Sequence, residues 1–145
     1  MSATSGARHI EPVQVRWGDM DSMGHVNNAC YFTYCESARM SYFRAVGMDE
    51  HREGGRFGPA LVAAHLNFRR QVRYPAELAV ATRVSEIGRT SFRMEYTIAA
   101  IAEGEGGGPV ADGFGVIVWV DYGSGRPVPL PAGLAGAMRS FEGMA

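Results

Sequence analysis

The sequence predicts an α+β fold in which an antiparallel sheet of about five strands curves around one long helix. A strand-like segment comes first in the 145-residue chain, a helical segment follows it, and four strand-like segments come after the helix. Short turns join these later strands, and such neighbours must be antiparallel because parallel pairing needs a long crossover. Wrapping the sheet around the helix is the economical way to bury the helix's apolar stripe.

The first strand is predicted from alternation. Val13, Val15 and Trp17 alternate with polar or small residues, as in a half-buried strand. Gly18 and a run of acidic and small residues as far as Gly24 end this period.

A helix is predicted to begin near Asn27, because either Asn27 or Asn28 can cap it. Apolar or aromatic residues then recur at helical spacing, at Tyr31, Cys35, Ala38, Tyr42 and Ala45. The polar residues that precede the helix therefore lie at its N-terminus, where we expect the chemistry.

Four strand-like segments with a period of two follow, over residues 61–73, 77–87, 91–101 and 110–121. Apolar residues at helical spacing predict a short terminal helix over 131–142. Residues 1–10 are predicted to form a loose arm, and 1–145 a single domain.

Composition excludes several classes of partner. The net charge is −1 and the isoelectric point is near 6.4, so we expect no nucleic acid or membrane partner, and an anionic ligand must meet a local basic patch. The longest apolar run, 116–120, is too short to span a bilayer, and the first residues do not form a signal peptide. We therefore expect a cytoplasmic protein. The four His residues are too scattered for a metal centre, and neither a metal nor a cofactor is predicted.

Residues 16–39 carry a dense polar motif at the predicted strand-to-helix junction. Its positions are Asp19, Asp21, Gly24, His25, Val26, Asn27, Asn28, Tyr31, Tyr34, Glu36, Ala38 and Arg39. This stretch resembles the signature DxDxxGHVNNxxYxxYxExAR of one branch of the hotdog-fold acyl-CoA thioesterases, in the 4-hydroxybenzoyl-CoA thioesterase-like superfamily. The resemblance covers roughly residues 12–122. It implies a hotdog fold that hydrolyses an acyl-CoA to the free acid and CoA without a cofactor.

Thioester hydrolysis needs a base or nucleophile and hydrogen-bond donors where the oxyanion develops. Amides around 26–29, at the predicted helix N-terminus, are candidate donors. Spacing alone favours Asp21 as a turn former or a helix-capping residue over a catalytic role. The resemblance implies that Asp21 is catalytic, as nucleophile or general base. Asp19, two residues before Asp21, is interpreted as structural.

His25 could orient a carboxylate, bind the substrate carbonyl or act as a base, or it could be an ordinary turn histidine. Plant acyl-acyl carrier protein thioesterases, which this motif also resembles, place a functional His in the same context. They have Asn where this chain has Met23, so their arrangement is not transferred intact, and His25 ranks below Asp21.

Three further residues are predicted to support the site. Asn27 and Asn28 are as suited to capping as to binding. Glu36 is a reserve base, because some hotdog thioesterases carry a catalytic Glu on the central helix, but it can also pair with Arg39 three residues on.

Substrate-binding residues are predicted in two places. The turn Arg89-Thr90-Ser91 offers a guanidinium, two hydroxyls and free amides, which can hold a phosphate or the pantetheine end of CoA. Related thioesterases use this junction for CoA, often from a neighbouring subunit. Arg70 is a weaker candidate, and a solvated basic face is the alternative interpretation.

Residues 116–120 are apolar on both faces of their strand, which indicates that something covers the second face, and we expect a homodimer or homotetramer. Two alternatives to a thioesterase stay open: a non-catalytic acyl-CoA binding module, and a hotdog hydratase or dehydratase. The acyl group, and the choice between CoA and acyl carrier protein, also stay open.

Overall fold

The computed structural model describes residues 6–145, except for the side chains of residues 105 and 106. The helices and strands are β1 (Ile10–Gln14), α1 (Asn28–Ala45), β2 (Phe57–Phe68), β3 (Glu77–Ile87), β4 (Ser91–Ala100), β5 (Ala111–Asp121) and α2 (Ala132–Glu142). Short 3-10 turns lie at Trp17–Asp19, Met48–His51, Glu53–Gly55 and Ile101–Gly106. No helix in this described part is long and apolar enough to cross a membrane.

The five strands form one sheet in the order β1-β3-β4-β5-β2, and every neighbouring pair is antiparallel. The α+β hotdog architecture predicted from the sequence is confirmed. The register sets two opposite ends of the sheet. Gln14 pairs with Glu77 and Phe68 with Ala111 at what we call the motif end, whereas the β3–β4 turn lies at the far end.

The core lies between α1 and the inward face of the sheet. One stripe of α1 is buried, with Tyr31, Cys35, Ala38 and Tyr42 at most 4% exposed. Alternate residues of β3 and β4 meet this stripe, as the pleat requires. These are Leu78, Val80, Val84, Phe92, Met94, Tyr96 and Ile98. The predicted helix is therefore correct, although Ala45 at its last turn is exposed.

The first strand lies three residues earlier than predicted. Its ladder with β3 ends at Gln14, and the chain then turns through Trp17–Asp19, where Trp17 is 77% exposed. Alternation alone did not reveal this turn, because Val15 is buried just beyond the strand. Ile10 belongs to β1 and not to the predicted arm, of which residues 1–5 lie outside the described residues.

The strand after α1 is β2, over Phe57–Phe68. It begins four residues earlier and ends five residues earlier than the predicted segment 61–73. Pro59 lies inside it, which is possible because β2 is an edge strand that pairs only with β5 among the described strands. Residues 69–73 instead form a basic connection at the motif end. The C-terminal helix α2 occupies the region of the predicted terminal helix.

Candidate functional site

The motif folds into a tight turn before α1. The Asp21 carboxylate oxygen Oδ1 accepts hydrogen bonds from the backbone amides of Met23 (2.8 Å) and His25 (3.2 Å). The Asp21 amide donates to the His25 carbonyl (2.7 Å), and Gly24 has a φ of 81°, a conformation that favours glycine. Asp21 is exposed, and its second oxygen, Oδ2, accepts no hydrogen bond from residues 6–145. This oxygen is free to act on a ligand.

Asp19 is in the opposite situation, with 2% of its surface exposed. Its Oδ2 accepts from the Tyr34 hydroxyl (2.6 Å) and the Arg16 amide (3.0 Å), and its Oδ1 accepts from the Arg16 guanidinium at 3.1 Å and 3.2 Å. Burial alone raises the pKa of Asp19, but the hydrogen bonds from Tyr34 and Arg16 outweigh it and lower the pKa. Both carboxylate oxygens are occupied, which agrees with the structural interpretation.

Asn27 is the N-cap of α1, and its side-chain oxygen accepts from the Ala29 amide at 3.0 Å. This bond occupies one of the predicted oxyanion donors. The Val26 amide donates to the Val72 carbonyl and the Asn27 amide to the Asp19 carbonyl, both at 2.8 Å. Only the Asn28 amide, of the four predicted over 26–29, has no acceptor within the described residues. Of the candidate oxyanion donors over 26–29, one N–H group is therefore left without an acceptor in the described part of the chain.

An open cleft of about 860 Å³ lies between this turn, the start of α1 and the end of β2. Its lining comprises Asp21, Met23, His25, Val26, Asn28, Tyr31, Phe68, Arg69, Arg70 and Gln71. The cleft therefore brings together the Asp21 carboxylate, the N-terminal end of α1 and two guanidinium groups.

Both cleft arginines are held by carboxylates from distant parts of the chain. Arg69 contacts Asp112 at 3.1 Å, and Arg70 contacts Glu103 at 2.5 Å. The sequence offered no signal for Glu103, since it lies in a Gly-rich connection 33 residues from Arg70. These ion pairs fix the guanidinium groups at the edge of the cleft.

The His25 ring does not contact the Asp21 carboxylate. Its Nε2 instead lies 3.2 Å from the Arg73 guanidinium. Because a guanidinium can only donate, Nε2 is the acceptor and the ring proton is on Nδ1.

Glu36 does not line the cleft. It lies two turns further along α1, with its side chain 64% exposed and 4.0 Å from Arg39, and it borders a separate cavity. The structure thus separates the reserve base from Asp21, and the predicted Glu36–Arg39 pairing is present as a loose contact.

Arg89, Thr90 and Ser91 are also far from Asp21 within one chain. They form the β3–β4 turn at the far end of the sheet, whereas Asp21 lies at the motif end. The Arg89 carbonyl accepts from the Leu130 amide and the Thr90 carbonyl from the Trp119 amide, which fixes this turn against β5 and the chain that leads to α2.

The two cysteines are poorly suited to nucleophilic catalysis. Burial raises the pKa of Cys35 to about 12 and also raises the pKa of Cys30. Within residues 6–145, no group of three or more His, Cys, Asp or Glu side chains could hold a metal ion.

Comparison with known proteins assigns the family. The family model described as "Thioesterase-like superfamily" matches residues 15–138. The chain belongs to this superfamily. In chain order, the match runs from the residue after β1 into α2, and so it includes the motif and the whole of the cleft.

A thioesterase from Thermus thermophilus, whose structure holds coenzyme A and Zn, is 35% identical. The similarity covers 97% of this chain and 98% of that one, with a TM-score of 0.82. The chloroplastic acyl-acyl carrier protein thioesterase ATL2 of Arabidopsis thaliana is 29% identical over 94% of this chain and 71% of its own. The Bacillus subtilis protein YsmA is 31% identical over 80% of this chain and 75% of its own. Family and relatives together identify a thioesterase of the hotdog fold, which hydrolyses acyl thioesters.

Proposed function

We propose that this thioesterase hydrolyses an acyl-CoA to the free acid and CoA, with Asp21 as its catalytic carboxylate. The observation that carries the proposal is the cleft, whose lining includes an exposed carboxylate with an unused oxygen and Asn28, whose amide has no acceptor within the described residues. A carboxylate and a preorganised N–H donor are the two groups that thioester hydrolysis requires.

Asn28 supplies the oxyanion donor in this proposal. Its N–H is the first of α1, where the helix dipole favours negative charge, and no described residue accepts from it. A thioester carbonyl oxygen placed there is polarised before attack and is stabilised as it becomes an oxyanion.

Two balanced routes use the same groups. As a base, Asp21 removes a proton from water, the hydroxide attacks the carbonyl carbon, and the C–S bond breaks as the CoA thiolate leaves and takes up the proton. As a nucleophile, Asp21 attacks the carbonyl carbon itself, the thiolate leaves, and water then hydrolyses the mixed anhydride. Both consume one water and release one acid and one thiol.

His25 has a positioning role in this scheme. Its backbone amide and carbonyl both bind Asp21, while its ring binds Arg73, so it ties the Asp21 turn to the basic connection. Asn27 supports the site in a similar way, by fixing the first turn of α1.

Coenzyme A is proposed as the thiol carrier because guanidinium groups lie at one edge of the cleft. Arg69 and Arg70 line it as members of ion pairs, whereas Arg73, beside His25, is in no ion pair within the described residues, so a phosphate that approaches from this side meets a guanidinium whose charge is not compensated. The Thermus thermophilus thioesterase with bound coenzyme A supports this choice.

The exposed edge of β2 supports a homodimer. Val62 is 60% exposed and Phe68 47% exposed on a 12-residue edge strand, and such an edge is a template for pairing with another strand. If β2 pairs antiparallel with the partner's β2, the partner's far end lies at the motif end of the first chain. Arg89, Thr90 and Ser91 of the partner subunit would then approach this cleft and complete the CoA site, and two such dimers could form a homotetramer.

A substitution at the edge tests the dimer. Val62→Lys places a charge on β2 without altering the cleft, and we expect light scattering to detect monomers where the native chain is dimeric. A native chain that is monomeric at all concentrations would contradict the pairing.

The function is tested by free-thiol release from short, long, branched and aromatic acyl-CoAs. Asp21→Asn should keep the fold and lower kcat by about 10²-fold or more, the usual scale for lost acid-base catalysis. Asp49→Asn is the matched control, because Asp49 is an exposed carboxylate with a side chain 88% accessible and no contact with the cleft. Full activity in Asp21→Asn would reject the catalytic assignment, and an inactive native chain would reject acyl-CoA as substrate.

A further inference from the structure

A second cavity, of about 160 Å³, lies beyond the cleft between α1 and the sheet. Its lining comprises Phe32, Thr33, Cys35, Glu36, Arg39, Leu61, Ala64, Leu66, Tyr96, Phe114 and Gly115. A cavity of about 150 Å³ is enough to hold benzene, so this one has room for one ring or a short chain. It exists because β2 and β5 place small residues, Ala64 opposite Gly115, where most core positions have large ones.

The cavity and the cleft are successive spaces along the same seam between α1 and β2. The cleft is bordered by Asn28, Tyr31 and Phe68, and the cavity starts at Phe32. An aromatic cluster joins the two linings, with the Phe68 ring 5.3 Å from Tyr31 and 6.4 Å from Phe32 between centroids. Phe68 is 47% exposed, so it has space to move aside. An acyl group attached at Asn28 can therefore reach the cavity past Phe68.

Arg39 is the unusual residue of this cavity, because it is a guanidinium that is only 9% exposed. Its Nη1 donates to the Tyr96 hydroxyl at 3.1 Å. Its Nη2 lies 4.0 Å from Glu36, which is too long for a hydrogen bond. A guanidinium has five N–H donors, and most of those of Arg39 have no acceptor in the described part of the chain. These donors are not enclosed by the protein but face the cavity, where a ligand oxygen can accept from them.

Tyr96 holds the guanidinium in place from the sheet side. Its hydroxyl accepts from Arg39 and lies 3.9 Å from the Met94 sulfur, and burial raises the pKa of Tyr96, so the hydroxyl stays protonated. The distance along the axis from Asn28 to Arg39 is ~16 Å at about 1.5 Å per residue. Long helical side chains point back toward the N-terminus of the helix. The Arg39 guanidinium therefore lies closer to a thioester at Asn28 than this axial distance.

We infer that this cavity binds the distal end of the acyl group, and that Arg39 selects a short acyl chain bearing an oxygen acceptor there. The inference rests on the proposed function, since it places the thioester at Asn28. Two end groups share the required chemistry. A hydroxyl can accept from Arg39 and donate to Glu36, while a carboxylate binds Arg39 alone and is opposed by Glu36.

Three six-carbon substrates separate the possibilities: hexanoyl-CoA, 6-hydroxyhexanoyl-CoA and adipoyl-CoA. The native enzyme should prefer at least one oxygen-bearing substrate over hexanoyl-CoA by about tenfold or more in kcat/KM. Arg39→Met, which keeps the volume and apolar character of the site, should abolish that preference while kcat/KM for hexanoyl-CoA is retained. A preference for the hydroxyl indicates that Glu36 shares the end group, and a preference for the carboxylate indicates Arg39 alone.

A second variant guards against loss of folding in Arg39→Met. A Cβ at position 115 would lie 3.1 Å from Leu61 and 3.4 Å from the Tyr96 hydroxyl, so Gly115→Ala reduces the cavity without removing a charge. It should shift the preferred acyl length downward and leave the acceptor preference in place. Equal turnover of all three substrates by the native enzyme, or an unchanged preference in folded Arg39→Met, would overturn the inference.

These outcomes are distinct from failure of the proposed function. If the native chain hydrolyses none of the three, acyl-CoA hydrolysis is rejected for them, and calorimetric binding of the same substrates replaces turnover. The native chain should then bind an oxygen-bearing substrate with a lower Kd than hexanoyl-CoA, and Arg39→Met should lose this difference in Kd. Equal affinities would overturn the role of Arg39.

Discussion

Asp19 and Asp21 are two residues apart in one motif, and the fold treats them in opposite ways. Asp19 is buried and both of its oxygens are bonded, whereas Asp21 is exposed and one oxygen is unused. The same carboxylate thus stabilises the turn at one position and is available for chemistry at the other. The difference teaches that two identical side chains in one motif are distinguished by how many of their oxygens the fold occupies.

The largest stability effect is expected at Asp19. Asp19→Asn removes the charge that the Tyr34 hydroxyl and the Arg16 guanidinium bind, and hydrogen bonds to a buried charge are worth about 1.5–3 kcal/mol. We expect the free energy of unfolding to fall by about 2 kcal/mol. Urea denaturation measures it, with Asp49→Asn as the control. A variant as stable as the native chain would erase the contrast with Asp21.

This contribution should disappear in acid. The pKa of Asp19 is lowered in the folded state, so its stabilisation is complete above the unfolded pKa of about 3.9 and is lost as the pH falls through the lower folded value. The denaturation curves of the native chain and Asp19→Asn should therefore differ at pH 7 and converge as the pH falls below the folded pKa of Asp19. A difference that persists unchanged in acid would show that Asp19 acts through packing and not through its charge.

A smaller loss of stability is expected at Asn27, the N-cap of α1, which follows the two aspartates in the motif. Asn27→Ala loses the bond to the Ala29 amide and should lower stability by about 1 kcal/mol. Asn27→Asp keeps an acceptor at the cap and should retain native stability. Thermal unfolding compares them, and an Asn27→Ala variant with an unchanged Tm would show that this cap contributes nothing.

Local features of the fold could be predicted from the sequence. The Asn27 cap, the long helix after it and the bounds of β3 follow from residues close together in the chain. β1 and β2 were displaced because their ends are set by pairing partners, such as Glu77 opposite Gln14, and by the edge position that tolerates Pro59.

The candidate site was predictable only in part, for the same physical reason. Asp21 lies where the motif placed it, at a helix N-terminus beside a cleft. The reduction of four candidate amides to Asn28 could not be foreseen, since the Val26 amide is occupied by Val72, 46 residues away. The Arg73 partner of His25 is likewise distant in sequence. Long-range hydrogen bonds decide which groups remain free.

The most direct test measures both properties in both aspartate variants, with thiol release for activity and urea denaturation for stability. We expect Asp21→Asn to lose about 10²-fold or more in kcat at native stability, and folded Asp19→Asn to retain most activity but lose about 2 kcal/mol of stability. An active Asp21→Asn enzyme, or an Asp19→Asn variant that is inactive at native stability, would contradict this expectation.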